Sequence, residues 1–297
     1  MADEGGPVVV GVDGSDQAVS ATRWAAAIAS KLNAPLHIVH AEPPSGHNFS
    51  DTIAAIRAAE MSALQEAGPA ILEAAERAAG AHNSDLPITS TQRPDPVDEA
   101  LVDLSRQARM IVLGCGDVSV GAALLVGSTT VAVASHAMCP VVAWRGDVVT
   151  PTDRPIAVGV GGDDDSKVAI GAAFELAERL NVGVVAVHAW STRRPPSEVA
   201  IPLFIDWDAV AADERKNLME ALAPWRRRYP GVDVNAVVKR EKPSDVLLRH
   251  SGDAQLVVVG SRGRGLISGT LLGSTGLNLL HHSPIPTMIC RSQGAVR

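Results

Sequence analysis

An internal repeat covers almost the whole chain and constrains its fold more than any other feature of the sequence. Val10–Gly14 resembles Val158–Gly162, and Asn33–Ala41 resembles Asn181–Ala189, with the triplet Val-His-Ala ending both longer segments. Matching segments keep a nearly constant spacing along the 297 residues. Self-similarity of this kind marks a duplicated structural unit, so the sequence predicts two domains built on one plan.

Each half alternates short apolar runs with longer amphipathic or alanine-rich segments. The apolar runs, rich in valine and isoleucine, predict buried strands, and the segments between them predict helices. The first helix is predicted over Ala18–Leu32, where Ser15 or Asp16 can cap it. Strands that alternate with helices predict parallel sheets with helices on both faces. We place the two domains at residues 1–147 and 153–297.

A glycine-rich segment, Gly260–Ser274, follows an apolar strand in the second half and leads into a helix predicted over 275–282. Ser274 is placed to cap that helix. Glycines let backbone N–H groups approach an anion closely, and a helix start adds further N–H groups and the positive end of the helix dipole. Arg262 and Arg264 add positive charge, so the segment favours a phosphate chain. The alternative is a glycine-rich surface turn between strand and helix.

Ligands of such sheets bind beyond the carboxyl ends of the strands. Asp13 and the glycine-rich segment both lie at such ends, so they can face one site. The segment carries Gly-x-x-Gly, then nine residues, then Gly-Ser, from Gly260 to Ser274. Together with the opening Val12-Asp13-Gly14-Ser15, this combination resembles the universal stress protein family. The length and the repeat resemble the tandem two-domain members found in mycobacteria and related actinobacteria.

The resemblance implies an α/β fold of two tandem universal-stress-protein domains, which are Rossmann-like and similar to adenine nucleotide alpha-hydrolases. Each domain would have a five-stranded parallel sheet flanked by helices. The resemblance also implies a regulatory protein of stress or growth arrest that binds ATP or another adenine nucleotide, with or without Mg²⁺. Its domains would pair through their last strands, and the whole chain would form a homodimer.

In the ATP-binding branch of the family, the opening aspartate lies by the adenine and ribose, and the glycine-rich loop holds the phosphates. In the second half, the residues that match are Gly159, Gly260, Ser261, Arg262, Gly263, Arg264, Gly265, Gly273, Ser274, Thr275 and Gly276. In the first half, they are Gly11, Asp13, Gly114, Gly127, Ser128 and Thr129.

The match is uneven between the halves. Asp117 stands where the second half has Gly263, and a carboxylate beside a triphosphate is repulsive unless a metal bridges them. Conversely, Gly161 stands where the first half has Asp13. We therefore expect the second half to keep phosphate binding with weaker nucleoside selection. The first half is expected to bind poorly, or to bind a ligand without a phosphate chain.

No Ser-His-Asp arrangement, carboxylate pair or metal-ligand spacing stands out, so we expect no enzyme and no metal site. Two alternatives stay open. One is a degenerate scaffold of the same fold that binds no nucleotide and acts through domain pairing. The other is an ATP-pyrophosphatase-type enzyme, because Gly161–Ser166 loosely resembles the loop Ser-Gly-Gly-x-Asp-Ser without its leading serine.

Composition and charge restrict the partners and the cellular location that we expect for the chain. A net charge of −7 argues against nucleic-acid binding, and no apolar run approaches the length that crosses a membrane. The three cysteines are widely spaced and form neither a metal pattern nor a disulfide framework. The acidic N-terminus lacks the basic region of a signal peptide. We expect a cytoplasmic protein.

Two further features allow more than one interpretation. The loop Arg193–Trp207 contains Phe204 and Trp207, which suggest a surface for a partner protein or a flap over the site, or else packing on their own domain. His40 and His188 recur at the ends of matching strands. They either contact a ligand or are satisfied by hydrogen bonds inside the fold.

Overall fold

The structure is a computed structural model, and it describes residues 5–42, 67–81, 83–116, 127–190, 206–262 and 272–292. The described residues before Thr152 form one compact unit, and those from Thr152 onward form another. Within the described part of the chain, no helix is both long and apolar enough to cross a membrane.

The first unit is a five-stranded sheet with the strand order β3-β2-β1-β4-β5, and every neighbouring pair is parallel. Its elements are β1 (Val8–Gly11), α1 (Asp16–Leu32), β2 (Leu36–Glu42), α2 (67–80), β3 (Ile88–Pro96), α3 (Val97–Leu104), β4 (Met110–Gly114), α4 (Ser128–His136) and β5 (Val141–Trp144).

The second unit repeats this topology, with the strand order β8-β7-β6-β9-β10 and parallel neighbours throughout. The predicted fold class is therefore confirmed. The elements are β6 (Ile156–Gly159), α5 (Asp164–Leu180), β7 (Val184–Ala189), α6 (Trp207–Arg228), β8 (Val234–Lys239), α7 (Pro243–Ser251), β9 (Leu256–Gly260), α8 (Ser274–His282) and β10 (Thr287–Cys290).

The first helix of each unit begins and ends in the same way. The side chain of Ser15 accepts a hydrogen bond from the Ala18 amide at the start of α1, as predicted. Asp163 caps α5 in the equivalent position. Both helices end at an asparagine in the left-handed conformation, Asn33 with φ 52° and Asn181 with φ 55°. Asparagine tolerates this conformation, which stops a helix and turns the chain toward the next strand.

The central strands are buried on both faces because helices cover them. Val8, Val9 and Val10 of β1 and Ile156, Ala157 and Val158 of β6 are each at most 1% exposed. Full burial of a valine or isoleucine side chain contributes about 1.5–3 kcal/mol, so these runs drive the folding of each unit. The apolar runs of the sequence predicted these strands for this reason.

The strand order also indicates where a ligand crevice would lie. In the first unit, β1 lies between β2 and β4, so the chain leaves β1 in one direction across the sheet and later returns on its other side. In the second unit, β6 lies in the same way between β7 and β9. In sheets of this type, the crevice for ligands opens at such a switch point, beyond the carboxyl ends of the two strands. The candidate sites therefore lie after β1 and β4 and after β6 and β9.

Candidate functional site

Gly260 brings the end of β9 against the first turn of α5. A Cβ atom on Gly260 would lie 2.9 Å from the carbonyl carbon of Asp165 and 3.0 Å from the Ser166 amide nitrogen, closer than a side chain tolerates. Gly114 has the same relation to α1, since its Cβ atom would lie 2.7 Å from the carbonyl carbon of Gln17. Both glycines are therefore required for packing, and they seat the loop that follows each strand on a helix N-terminus.

A buried carboxylate organises the second site. Asp165 is 1% exposed and accepts hydrogen bonds from three residues in two other segments of the chain. Ser261 Oγ donates at 2.6 Å, and Arg262 donates through Nε and Nη2, both at 2.9 Å. Ser292 donates through its backbone N–H at 2.8 Å and its hydroxyl at 2.5 Å. We call these four residues, Asp165, Ser261, Arg262 and Ser292, the Asp165 cluster.

The Asp165 cluster keeps its carboxylate ionised. Burial alone would raise the pKa of Asp165, but the hydrogen bonds from Arg262, Ser261 and Ser292 outweigh it and hold the pKa well below its ordinary value. The hydrogen bond and the charge of Asp165 in turn raise the pKa of Arg262. One edge of the Arg262 guanidinium is thus occupied by a carboxylate, although 47% of this side chain is exposed.

Asp165 and Ser292 were not predicted as members of the site. Asp165 lies 97 residues from Arg262 and 127 residues from Ser292, so no local pattern connects them. One signal was nevertheless available. Asp165 lies four residues before Ala169 and eight before Ala173, and all three are buried. Helical spacing thus places this carboxylate on the buried face of α5, where a charge requires a partner.

The N-terminus of α8 faces the same loop. Gly273 is the N-cap residue, with an extended ψ of 153°, and its N–H donates to the Ser261 carbonyl at 2.7 Å. The prediction that Ser274 caps this helix is wrong, because the N-cap residue is Gly273 and Ser274 is already the first helical residue. In the first unit, Gly127 likewise precedes α4 without a side-chain cap.

Within the described part of the chain, the N-cap residues of both helices are glycines, so neither provides a capping side chain. Among the residues described by the structure, Ser274 and Ser128 are exposed at these helix starts, while Thr275 and Thr129 are partly buried. Uncapped N–H groups together with the helix dipole form the usual protein setting for a phosphate or carboxylate.

The first unit has no equivalent of the Asp165 cluster. Gln17 stands in place of Asp165, and Cys115 and Gly116 stand in place of Ser261 and Arg262. Cys115 is buried, and its Sγ lies 3.5 Å from the hydroxyl of Thr130. Burial is the largest influence on this thiol and raises its pKa, so it is a poor nucleophile.

A different side chain supports the loop in the first unit. The Nε of Arg145, which follows β5, donates to the Gly116 carbonyl at 2.8 Å.

Asp13 is exposed at the end of β1, and its Oδ1 accepts hydrogen bonds from the Ser15 amide at 3.0 Å and the Ser15 hydroxyl at 2.6 Å. The second unit has Gly161 at the position equivalent to Asp13. The Gly161 amide donates a hydrogen bond to the Ser166 hydroxyl.

Comparison with known proteins matches this duplicated architecture. The model of the universal stress protein family matches residues 6–145 and again residues 153–291. The chain belongs to the universal stress protein family. Universal stress protein Rv2623 of Mycobacterium tuberculosis is 34% identical over 307 residues, covering 96% of each chain. Universal stress protein Mb2028c of Mycobacterium bovis is 35% identical over 294 residues, again covering 96% of each.

Solved structures agree on the fold. A universal stress protein from Archaeoglobus fulgidus matches with a TM-score of 0.67 at 19% identity, covering 96% of this chain and 98% of that one. A second structure, from Pseudomonas aeruginosa and described as a putative universal stress protein, matches with a TM-score of 0.59 at 15% identity, covering 96% of this chain and 91% of the other. These likenesses support the two-unit α/β fold and carry no information about a ligand.

In this universal stress protein, some of the predicted site glycines are packing residues. A Cβ atom on Gly159 would lie 3.0 Å from the Val259 side chain, and one on Gly11 would lie 2.7 Å from the Leu113 side chain. Gly276 leaves ordinary contact distance, 3.4 Å, to the Ile289 side chain. The predicted loop residues Gly263, Arg264 and Gly265, together with Asp117 of the first half, lie outside the described residues.

The two strand-end histidines are satisfied inside the fold. His40 Nδ1 donates to the Val12 carbonyl at 2.8 Å, and His188 Nδ1 donates to the Val160 carbonyl at the same distance. His188 Nε2 also lies 2.8 Å from a carboxylate oxygen of Glu214. Both rings join neighbouring strands at the carboxyl edge of their sheet, which supports the structural interpretation of the repeated histidine over the ligand-binding one.

Trp207 packs on its own unit. Its ring stacks on Trp190 with 6.1 Å between centroids, and the Arg240 guanidinium lies 4.3 Å from its ring centroid. This contact supports the packing interpretation for Trp207. Phe204 and the rest of the predicted partner loop, from Arg193 to residue 205, lie outside the described residues. Within the described part of the chain, no group of His, Cys, Asp or Glu residues is arranged to hold a metal ion.

Proposed function

We propose that this universal stress protein is a regulatory adenine-nucleotide-binding protein whose second unit holds the phosphate chain of ATP. The observation that carries the proposal is the N-terminus of α8, where Gly273 leaves the first turn without a side-chain cap at the carboxyl end of β9. The Gly273–Ser261 hydrogen bond of 2.7 Å joins the two ends of the glycine-rich segment at this point.

The physical basis is the set of N–H groups and the dipole of the helix. Unpaired first-turn amides point along the helix axis, and the dipole places roughly half a positive charge at this end. Phosphate oxygens accept hydrogen bonds from such amides, and the glycines of the segment let more backbone approach them. Ser274 and Thr275 would contribute their amides, and their hydroxyls would add two further donors.

Base recognition should differ between the units. In the first unit, Asp13 is exposed and oriented by Ser15, so its carboxylate is available to a ribose hydroxyl or an adenine amino group. Gly161 offers no side chain at the same place in the second unit. We therefore propose that the second unit binds mainly through the phosphate chain and discriminates weakly between bases.

We propose binding without an enzymatic step. The carboxylate nearest the loop start, Asp165, has a lowered pKa and accepts five hydrogen bonds, so it is unsuited to act as a general base. Binding of ATP would instead serve a regulatory role in the response to stress or growth arrest. A cytoplasmic location, a homodimer and a partner protein at the loop ending in Trp207 belong to the same proposal.

One observation favours a scaffold that binds no nucleotide. Asp163, Asp164 and Asp165 lie together at the start of α5, and Asp165 neutralises Arg262. The local charge is therefore negative, which opposes a triphosphate. In the scaffold alternative, the same fold acts through contacts between domains and with partner proteins.

The small molecules that purify with the protein distinguish nucleotide binding from the scaffold alternative. Protein purified under native conditions is denatured, and the released small molecules are identified by mass spectrometry. A nucleotide-binding protein releases an adenine nucleotide in a fixed ratio to the chain, and the purified protein binds added ATP. The scaffold alternative predicts that no nucleotide is released and that ATP added in excess produces no heat of binding.

A further inference from the structure

We infer that Asp165 is a positioning residue of the second nucleotide site. It holds the start of the glycine-rich loop and the segment after β10 in place for the phosphate chain, and it keeps Arg262 out of direct charge contact with that chain. The inference rests on the proposed nucleotide site and deepens it. It concerns a residue at which the two units differ.

The geometry of the Asp165 cluster joins three separate segments at one carboxylate. Asp165 lies in the first turn of α5, Ser261 and Arg262 follow β9, and Ser292 follows β10. Oδ2 accepts from Ser261 and Arg262, and Oδ1 accepts from Arg262 and twice from Ser292. Arg262 also donates to the Ser292 hydroxyl at 3.1 Å. A fully hydrogen-bonded buried carboxylate fixes the relative positions of all its donors.

Arg262 cannot leave this cluster without a large penalty. Its guanidinium is the cation that compensates a carboxylate only 1% exposed, and removing one partner of a buried ion pair leaves an uncompensated charge. Asp163 and Asp164 add negative charge nearby and raise the pKa of Arg262 further. Arg262 therefore stays with Asp165 when a phosphate chain binds, and the chain is held by backbone amides and by donors other than this pair.

The Asp165 cluster also sets the position of α8. Ser261 donates its hydroxyl to Asp165, while its carbonyl accepts the Gly273 amide at the start of α8. A chain of two hydrogen bonds thus connects the carboxylate to the N-terminus that is proposed to hold the phosphates. A shift of Ser261 would move Gly273 and misalign the first-turn amides, so the effect of Asp165 on binding passes through Ser261.

The test compares two neighbouring asparagine substitutions in the full chain by calorimetric titration. Asp165→Asn removes the buried charge, and we expect at least a tenfold loss in affinity for ATP and for inorganic tripolyphosphate. Asp164→Asn changes the net charge equally, one residue earlier, at an exposed carboxylate paired with Lys167. We expect this control to bind ATP within twofold of the parent. Affinity for adenosine, which has no phosphate, should stay unchanged in both variants.

A double-mutant cycle with Arg262→Gln separates positioning from direct contact. If Arg262 acts only within the Asp165 cluster, the double variant Asp165→Asn/Arg262→Gln binds ATP no more weakly than the weaker single variant. If Arg262 contacts the phosphates independently, the two losses multiply, and the inference is overturned. Ser261→Ala provides a milder variant, which removes one donor to Asp165, and it should weaken ATP binding about threefold while adenosine binding is unchanged.

The outcomes separate this inference from the proposed function. If the parent protein binds ATP but Asp165→Asn and Ser261→Ala bind it as tightly, the inference fails and the nucleotide site stands. If the parent binds neither ATP nor tripolyphosphate, the proposed function fails and the inference fails with it. If Asp165→Asn does not fold, Ser261→Ala and Arg262→Gln decide: unchanged ATP affinity in both contradicts the role of the cluster.

Discussion

The two units of this protein share a frame and differ at the place where a ligand would bind. Both have the same strand order, the same asparagine at the end of the first helix and the same buried histidine at the end of the second strand. At the carboxyl edge, the first unit has Asp13 and Gln17, where the second has Gly161 and Asp165. The units therefore share their buried strands and differ in side chains just after the first strand and in the first turn of the helix that follows it, where Asp13 is exposed and Asp165 is buried.

The comparison also separates two roles of glycine at the loops. Gly114 and Gly260 are required in both units because a helix backbone lies directly against them. Gly116 and Gly162 have open space around them, since a Cβ atom there would meet nothing within 4 Å. Gly114 and Gly260 therefore maintain the fold that the two units share. Gly116 and Gly162 can be replaced by a larger residue without a loss of stability from steric overlap.

The largest expected effect concerns the separation of the two units. Pairing through β5 and β10 and dimerisation of the whole chain stay predictions. If the units depend on each other, residues 1–147 expressed alone should aggregate or remain partly unfolded, because β5 would then be an unpaired sheet edge. Light scattering and circular dichroism of the fragment test this. A soluble, stable monomer would show that the units are independent.

The next largest effect concerns the shared frame. Gly260→Ala should lower the free energy of unfolding of the second unit by about 2 kcal/mol, because a backbone group, which cannot move aside, blocks the new methyl group. Gly162→Ala is the matched control, with open space around its Cβ position, and should change stability by less than about 0.5 kcal/mol. Urea unfolding of both variants gives the comparison. Equal stability of the two would contradict the close packing of β9 on α5.

Low pH should destabilise the second unit by protonating Asp165. Its pKa in the folded state lies below the ordinary value of 3.8, so its contribution to stability is complete above that value and is lost as the pH falls further. We expect a contribution on the order of 2 kcal/mol at neutral pH, which Asp165→Asn removes. Urea unfolding of parent and variant from about pH 7 to pH 3 should show their difference shrinking with acid. A constant difference would contradict the assignment.

The fold was predictable from sequence because its determinants are local. The apolar run Met110–Gly114 is a buried strand, and Ser15 caps α1 as expected. Valine-rich runs and capping residues act over a few positions, so a sequence pattern reveals them directly. Because the second half repeats the pattern of the first, the same order of strands and helices could be predicted for both units.

The site was less predictable because its contacts join distant segments. Arg262 was interpreted as a cation for phosphate, since nothing near it in sequence shows that a carboxylate 97 residues away accepts two of its hydrogen bonds. Asp164 and Asp165 are neighbours with identical side chains, yet one is exposed and the other buried. The difference comes from which face of α5 each residue occupies, and only the helical spacing of buried positions indicates that face.

The central claim is that the second unit holds the phosphate chain and the first does not. Calorimetric titration of ATP into the parent, Gly263→Asp and Asp117→Gly proteins tests it most directly. If the loop holds the phosphates, Gly263→Asp would bring a carboxylate to them, and we expect at least about a tenfold loss in affinity, or roughly 1.4 kcal/mol. Asp117→Gly should create or strengthen a second site, because Asp13 is present to meet the nucleoside. If Gly263→Asp binds ATP as tightly as the parent does, the loop is not the phosphate site and the scaffold alternative is favoured.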